Sequence, residues 1–225
     1  VRELRSRFLR GRVLAVSFGA RALIRLGALQ HNLAVIRAAA PDCKIMAVIK
    51  ANAYGHGMVT VAHHLDNVDA FAVARVPEAI ELRESGIELP IVLLAGVMNA
   101  TELQAAIDGR FEPVVHCIEQ VEMLEATVGG NIVVWIKVDT GMNRLGFAPE
   151  QAAGIIARVE KAAAVGEVRL MTHLSSADEL HSSTTLEQLE RFESVARDFK
   201  GSVSIGNTPA TLGWPAVRDA HEQYG

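Results

Sequence analysis

The chain predicts a one-domain α/β fold of the (β/α)8 type. Three observations carry that reading. Short apolar runs rich in Val and Ile alternate with longer stretches of helical spacing along most of the 225 residues, the pattern of a parallel sheet. Half the residues are hydrophobic, enough for a substantial core, and no Pro-, Gly- or Ser-rich linker divides them. A doubly wound open sheet would be expected to carry a G-x-G-x-x-G turn after its first strand. None is present, so a barrel is preferred.

In chain order, Arg21–Leu26 reads as a short strand. Leu29, Leu33 and Ile36 then share one helical face, which ends before Pro41. Further strands are expected at Lys44–Lys50, Ala70–Ala74, Ile91–Leu94, Pro113–His116, Ile132–Val138, Val168–Leu174 and Val203–Ile205. Helices are expected at Pro77–Glu84, at Thr101–Ile107 behind a cap at Asn99 or Thr101, and at Ile118–Ala126, Gln151–Ala164 and Leu186–Phe199. Counting the first strand gives eight; counting from Lys44 gives seven.

Composition narrows the function. A net charge of −4 and the lack of a basic stripe interleaved with aromatics argue against nucleic acid. No apolar run reaches membrane-spanning length. Cys43 and Cys117 show neither metal nor disulfide spacing, so no metal is expected and a reduced, cytoplasmic setting is the default. Residues 1–20 are a separate matter. Arg2, Arg5, Arg7, Arg10 and Arg12 precede a weakly apolar stretch, the order found in export signals, but Ser17 and Gly19 break the apolar part. The expectation is a poorly ordered basic arm over 1–20 and a barrel domain over 21–225.

Four stretches carry chemistry. The first runs from Lys44 to Gly57. An apolar strand ends in Lys50, followed by Tyr54 and by two glycines flanking His56. A lysine at a strand end, partly dried by Val48 and Ile49, suits Schiff-base chemistry. Taken singly it reads more readily as a solvated lysine that ends a strand. In the second, a strand closes on Lys137 and Asp139, and a Thr-Gly turn leads to Arg144; in isolation these residues read as a surface ion pair of Arg144 with Asp139. The third places His173 at a strand end before Asp178. The fourth, Gly206-Asn207-Thr208-Pro209-Ala210, offers an amide, a hydroxyl and the start of a short helix. His63, His64 and His181 lack such a context and are read as solvated.

Together these phrases resemble the alanine racemases, over residues 21 to about 224. Val48 to Gly57 resembles that family's pyridoxal-phosphate attachment motif. The resemblance implies a cofactor held as a Schiff base on Lys50 and a phosphate hydrogen bond from Tyr54. It further implies that Arg144 contacts the cofactor's phenolic oxygen and the substrate, oriented by Lys137, which in this family is often carbamylated. His173 would lie under the cofactor ring. Asn207 and Thr208 match an Asn-Ser pattern at the phosphate, with Thr208 in place of the usual serine.

The implied activity is interconversion of L- and D-alanine for the bacterial cell wall, by a homodimer, with Lys50 as catalytic base on one face. In that family the first short strand lies outside the barrel, so the chain is expected to lack the last barrel strand and the C-terminal β domain. It reads as an N-terminal portion, inactive as a racemase alone. Two other readings stay open: a single-domain pyridoxal-phosphate carrier, and a catalytically dead interaction module.

Overall fold

The computed structural model describes residues 22–220. Seven strands form one sheet: β1 (Met46–Val48), β2 (Ala70–Val73), β3 (Ile91–Leu93), β4 (Phe111–Val115), β5 (Ile132–Lys137), β6 (Val165–Met171) and β7 (Val203–Ser204). They lie in sequence order and every neighbouring pair is parallel. The helices are α1 (Leu26–Ala39), α2 (Lys50–Tyr54), α3 (Met58–His64), α4 (Val76–Glu84), α5 (Ala100–Gly109), α6 (Ile118–Glu125), α7 (Pro149–Val159), α8 (Thr184–Ala196), α9 (Thr208–Gly213) and α10 (Pro215–Asp219).

Both faces of the sheet are covered, which is why its strands read as continuous apolar runs rather than alternating ones. Phe71, Val73, Ile91, Leu93, Val134, Ile136 and Leu170 meet the helices in the main core. Their neighbours Ala72, Val92, Val114, Trp135 and Met171 form a second cluster on the other face. The period-2 alternation therefore separates an outer helical layer from an inner, concave side. At the far ends of the chain α1 lies against α9, so the sheet curls its two edges toward each other. This is a (β/α)8-type barrel without its last strand among the described residues.

Several local expectations need correction. Residues 22–25 form no strand, and Leu26 already opens α1. Arg25 is extended, but no described strand lies beside it, and extension without a ladder partner is not a strand. The strand expected over Lys44–Lys50 is three residues long, and Lys50 begins the next element. Val48 does not help dry Lys50: it is 41% exposed, on the concave side, whereas Ile49 is buried. α7 stops five residues early because Ala162 and Ala164 turn into the core to start β6. Packing there overrides alanine's helix propensity. α3 was not anticipated, although Met58, Val61 and Ala62 bury at helical spacing. The cap of α5 is Asn99, whose side chain accepts from Glu102 N, and not Thr101. The basic arm over 1–20 lies outside the described residues.

One polar group is built into the concave side. Glu112 is nearly fully buried. It accepts from Trp135 Nε1 at 2.7 Å and from Arg169 Nη1 at 3.2 Å. The Arg169 guanidinium also pairs with Glu167 and lies 5.4 Å from the Trp135 ring centroid. Removing the carboxylate leaves a partly buried guanidinium and an indole N–H short of acceptors. Glu112→Ala is expected to cost about 3 kcal/mol in urea unfolding, and Glu112→Gln distinctly less, because its amide oxygen still accepts from the indole.

Candidate functional site

All seven sequence-selected residues lie at or beyond the C-terminal ends of strands, which in a parallel sheet is one end of the molecule. Lys50 and Tyr54 follow β1. Lys137 is the last residue of β5, and Arg144 lies in the loop after it. His173 follows β6, and Asn207 and Thr208 follow β7.

The turn that carries Lys50 has unusual backbone geometry. Ala51, Asn52, Ala53 and Tyr54 all have φ between 52° and 54°. Gly55 continues at φ 86°. This is a left-handed helical turn built from four non-glycine residues. At about 1–2 kcal/mol per residue such a turn is strained by several kcal/mol in isolation. The surroundings hold it. Ala53 N donates to Ile49 O at 2.8 Å, Gly55 N to Ala51 O at 3.0 Å and Gly57 N to Asn52 O at 3.0 Å. The Asn52 side chain accepts from Met58 N at 2.8 Å, and Ala53 is buried. Glu78 Oε1 accepts from Ala51 N at 2.6 Å. Strain maintained in this way at a strand end marks a site where one side chain's direction matters.

The β5 loop is held differently. Asp139 Oδ1 accepts from Gly141 N and Asn143 N, both at 3.0 Å, so its carboxylate shapes the loop and forms no ion pair with Arg144. The loop returns to its own strand: Phe147 N donates to Lys137 O at 2.9 Å and Asp139 N to Phe147 O at 2.8 Å. Gly146, at φ 122°, allows that return; a Cβ there would stand 2.9 Å from both Lys137 Cγ and Lys137 O. Behind the loop, the buried Gln188 amide donates to Thr140 Oγ1 and to His173 O, which ties the β5 and β6 loops together.

The electrostatics are one-sided. Burial draws the Lys137 pKa down to about 8, with the Arg144 charge adding to the effect and Asp139 opposing it. Burial, followed by the charges of Lys137, Arg144 and Lys50, pushes His173 down to about 4, so its imidazole is neutral at pH 7. His173 is therefore within electrostatic reach of Lys50, Lys137 and Arg144, and Lys137 within reach of Arg144. Among the described residues, no side chain of Lys50, Lys137 or Arg144 makes a hydrogen bond or an ion pair. Arg144 is exposed.

Other parts of the reading sit differently in the structure. Asn207 is committed to the scaffold: its oxygen caps α9 through Ala210 N, and its amide donates to Leu174 O at 3.1 Å. Tyr54 is 60% exposed, and among the described residues neither it nor the exposed Thr208 finds a hydrogen-bond partner for its hydroxyl. His63, His64 and His181 are exposed. Glu78 and Gln188 were not singled out from the sequence. Glu78 carried a signal, as an acidic residue in the first turn of a helix after a strand; Gln188 carried none, because its partners lie 13 to 48 residues away.

A curled parallel sheet thus brings an amine, a guanidinium and an imidazole to its C-terminal end, the end at which parallel α/β folds carry their ligand sites. The family is specific: the model for the alanine racemase N-terminal domain matches residues 24–223, and the chain belongs to that family. The alanine racemase of Vibrio cholerae is 45% identical over 198 residues, covering 87% of this chain and 55% of that protein. The catabolic alanine racemase of Pseudomonas aeruginosa is 44% identical over 200 residues, covering 88% and 56%. The solved structure of the biosynthetic alanine racemase from Pseudomonas aeruginosa superimposes with a TM-score of 0.80 at 39% identity, over 85% of this chain and 54% of that one. The chain thus spans about half the length of the curated relatives it matches. No helix among the described residues is long and apolar enough to cross a membrane.

The depressed Lys137 pKa predicts a pH-dependent stability. A lysine whose folded pKa lies below its unfolded value is destabilising while charged, and the protein regains stability as pH rises from about 8 toward 10.5. Lys137→Met is expected to raise stability at pH 7 by about 1–3 kcal/mol. The gap to wild type should narrow between pH 8 and 10.5 in parallel urea titrations.

Proposed function

We propose that this chain is the cofactor-binding barrel of an alanine racemase, with pyridoxal phosphate joined to Lys50. The observation that carries the reading is the cluster of Lys50, Lys137, Arg144 and His173 at the strand ends, with no anion bonded to its cations among the described residues. A ligand bearing a phosphate, a phenolate and an aldehyde fits this donor set. The amine matches the aldehyde, the positive charge matches the phosphate and phenolate, and the unused hydroxyls of Tyr54 and Thr208 are spare donors. The names of the relatives favour a racemase over a carrier or an inert module.

When bound, pyridoxal phosphate withdraws electrons from the α-carbon of an attached amino acid and so acidifies its hydrogen. The residues of this chain supply the rest. Lys50 would hold the cofactor and, once released from it, take or return a proton on one face of that carbon. His173, neutral at pH 7, adds no further positive charge beside Lys50. Arg144 would hold the phenolic oxygen and the substrate carboxylate by charge-assisted hydrogen bonds. Lys137 is neutral in about a tenth of molecules at pH 7, given its pKa of about 8. Its free amine would add to carbon dioxide and lose a proton, and the resulting carbamate would convert repulsion of Arg144 into attraction. Thr208 and Tyr54 would bind the phosphate, while Asn207 would act by capping the helix that presents Thr208.

In this reading the protein takes alanine as substrate, acts as a homodimer in the cytoplasm and supplies D-alanine to the cell wall. Residues 21–225 would form one barrel domain behind a basic arm.

Two measurements test the proposal. Incubation with pyridoxal phosphate, borohydride reduction and peptide mapping should label Lys50; label on another lysine with Lys50 clean would overturn the assignment. In the full protein that carries these residues, L-alanine should become racemic, and Lys50→Ala should lower the rate by at least about 10²-fold. An alanine pool that keeps its configuration in the presence of labelled Lys50 would leave a carrier instead.

A further inference from the structure

We infer that Glu78 is a positioning residue for Lys50, acting through the backbone of the left-handed turn. The inference rests on the reading of Lys50 given above. Glu78 is the third residue of α4. Its Oε2 accepts from Ala74 N at 2.7 Å and from Arg75 N at 3.1 Å, which closes the N-terminus of its own helix. Capping needs no more than that. The other oxygen, Oε1, reaches across 27 positions of sequence to accept from Ala51 N at 2.6 Å. One carboxylate therefore joins the end of β2, the start of α4 and the peptide that follows Lys50.

The physical consequence follows from peptide planarity. Ala51 N–H and Lys50 C=O belong to one rigid plane. Fixing the direction of that N–H fixes ψ of Lys50 and φ of Ala51, the first of the four left-handed residues. The direction in which the Lys50 side chain leaves the backbone is set by the same plane. The bond is charge-assisted and short, and its acceptor is anchored at its other oxygen by two further N–H groups. Asn52 secures the far side of the turn through Met58 N, but on the near side no other acceptor among the described residues holds Ala51 N–H. Glu78 touches neither substrate nor cofactor in this scheme. It sets where the amine stands.

Glutamine separates this role from ordinary capping. Its side chain has one acceptor oxygen, which satisfies two donors at Ala74 and Arg75 and only one at Ala51, so the glutamine oxygen stays on the cap and the Ala51 bond is lost. Asn99→Ala is the matched control, since it removes the cap of α5 without touching the turn. The readouts are amide hydrogen exchange of the peptide spanning Lys50 to Gly57, and the rate of Lys50 capture by pyridoxal phosphate followed by borohydride reduction.

For Glu78→Gln, exchange in that peptide should rise and capture at Lys50 should slow, each by about tenfold, the loss expected for one hydrogen bond to a charged group. Asn99→Ala should lose comparable stability in urea and leave both readouts unchanged. Glu78→Asp, too short to bridge all three amides, should behave like Glu78→Gln and carries the test if the glutamine variant fails to fold. Unchanged exchange and capture in the Glu78 variants, or equal changes in Asn99→Ala, would overturn the inference. If wild-type Lys50 takes no label, the functional reading fails, and the exchange arm alone decides whether Glu78 holds the turn.

Discussion

Positive charge gathered at one end of the sheet, with no carboxylate bonded to it among the described residues, is the constraint on which the rest of this molecule depends. Lys137 is buried with the Arg144 charge in reach of it, and His173, held neutral first by burial, also feels the charges of Lys137, Arg144 and Lys50. Like charges brought together and partly dried repel one another, and left to itself such a cluster would splay toward water. Here the members are fixed by backbone at three strand ends, Lys50 after β1, Lys137 and Arg144 at β5, and His173 after β6. The parallel sheet supplies that rigidity, because all its strand ends point the same way and its two faces are both packed.

The loops that follow those strands are short of freedom for the same reason. Gly146 lets the Arg144 loop fold back onto β5, and the Gln188 amide clamps the β5 and β6 loops to each other. The turn after β1 is held in a left-handed conformation that its own residues disfavour. In each case main-chain hydrogen bonds and buried amides hold an arrangement that unopposed electrostatics or local propensity would relax. Stability is given up at this end and recovered in the core and in the Glu112 network on the concave side.

On the proposed reading, a site poised in this way is largely preformed for an anionic ligand. Binding a phosphate-bearing molecule would relieve the repulsion, so ligand affinity and protein stability should be coupled. The neutral state of His173 and the partly neutral state of Lys137 both follow from the cluster's own field together with burial. The two groups therefore depend on Arg144 even though it is exposed and bonded to nothing described.

The alternation of apolar runs and helical spacings determined the barrel class and all seven strands to within a few residues, and the phrases around Lys50, Arg144, His173 and Asn207 determined the family. Those features are local, so they survive in a linear reading. The sequence could not tell a strand from an extended segment at residues 22–25, because a strand exists only when a neighbour supplies its ladder. It placed Lys50 inside a strand that the fold ends two residues earlier, because the left-handed turn is imposed by Glu78, Ile49 and Met58 rather than by the propensities of Ala51, Asn52, Ala53 and Tyr54. It could not show that the Asn207 amide also holds Leu174 O, 33 residues away, while its oxygen caps α9. What tertiary structure alone decided is which basic groups share a field and how far each is dried, since both depend on atoms brought together from strands distant in the chain.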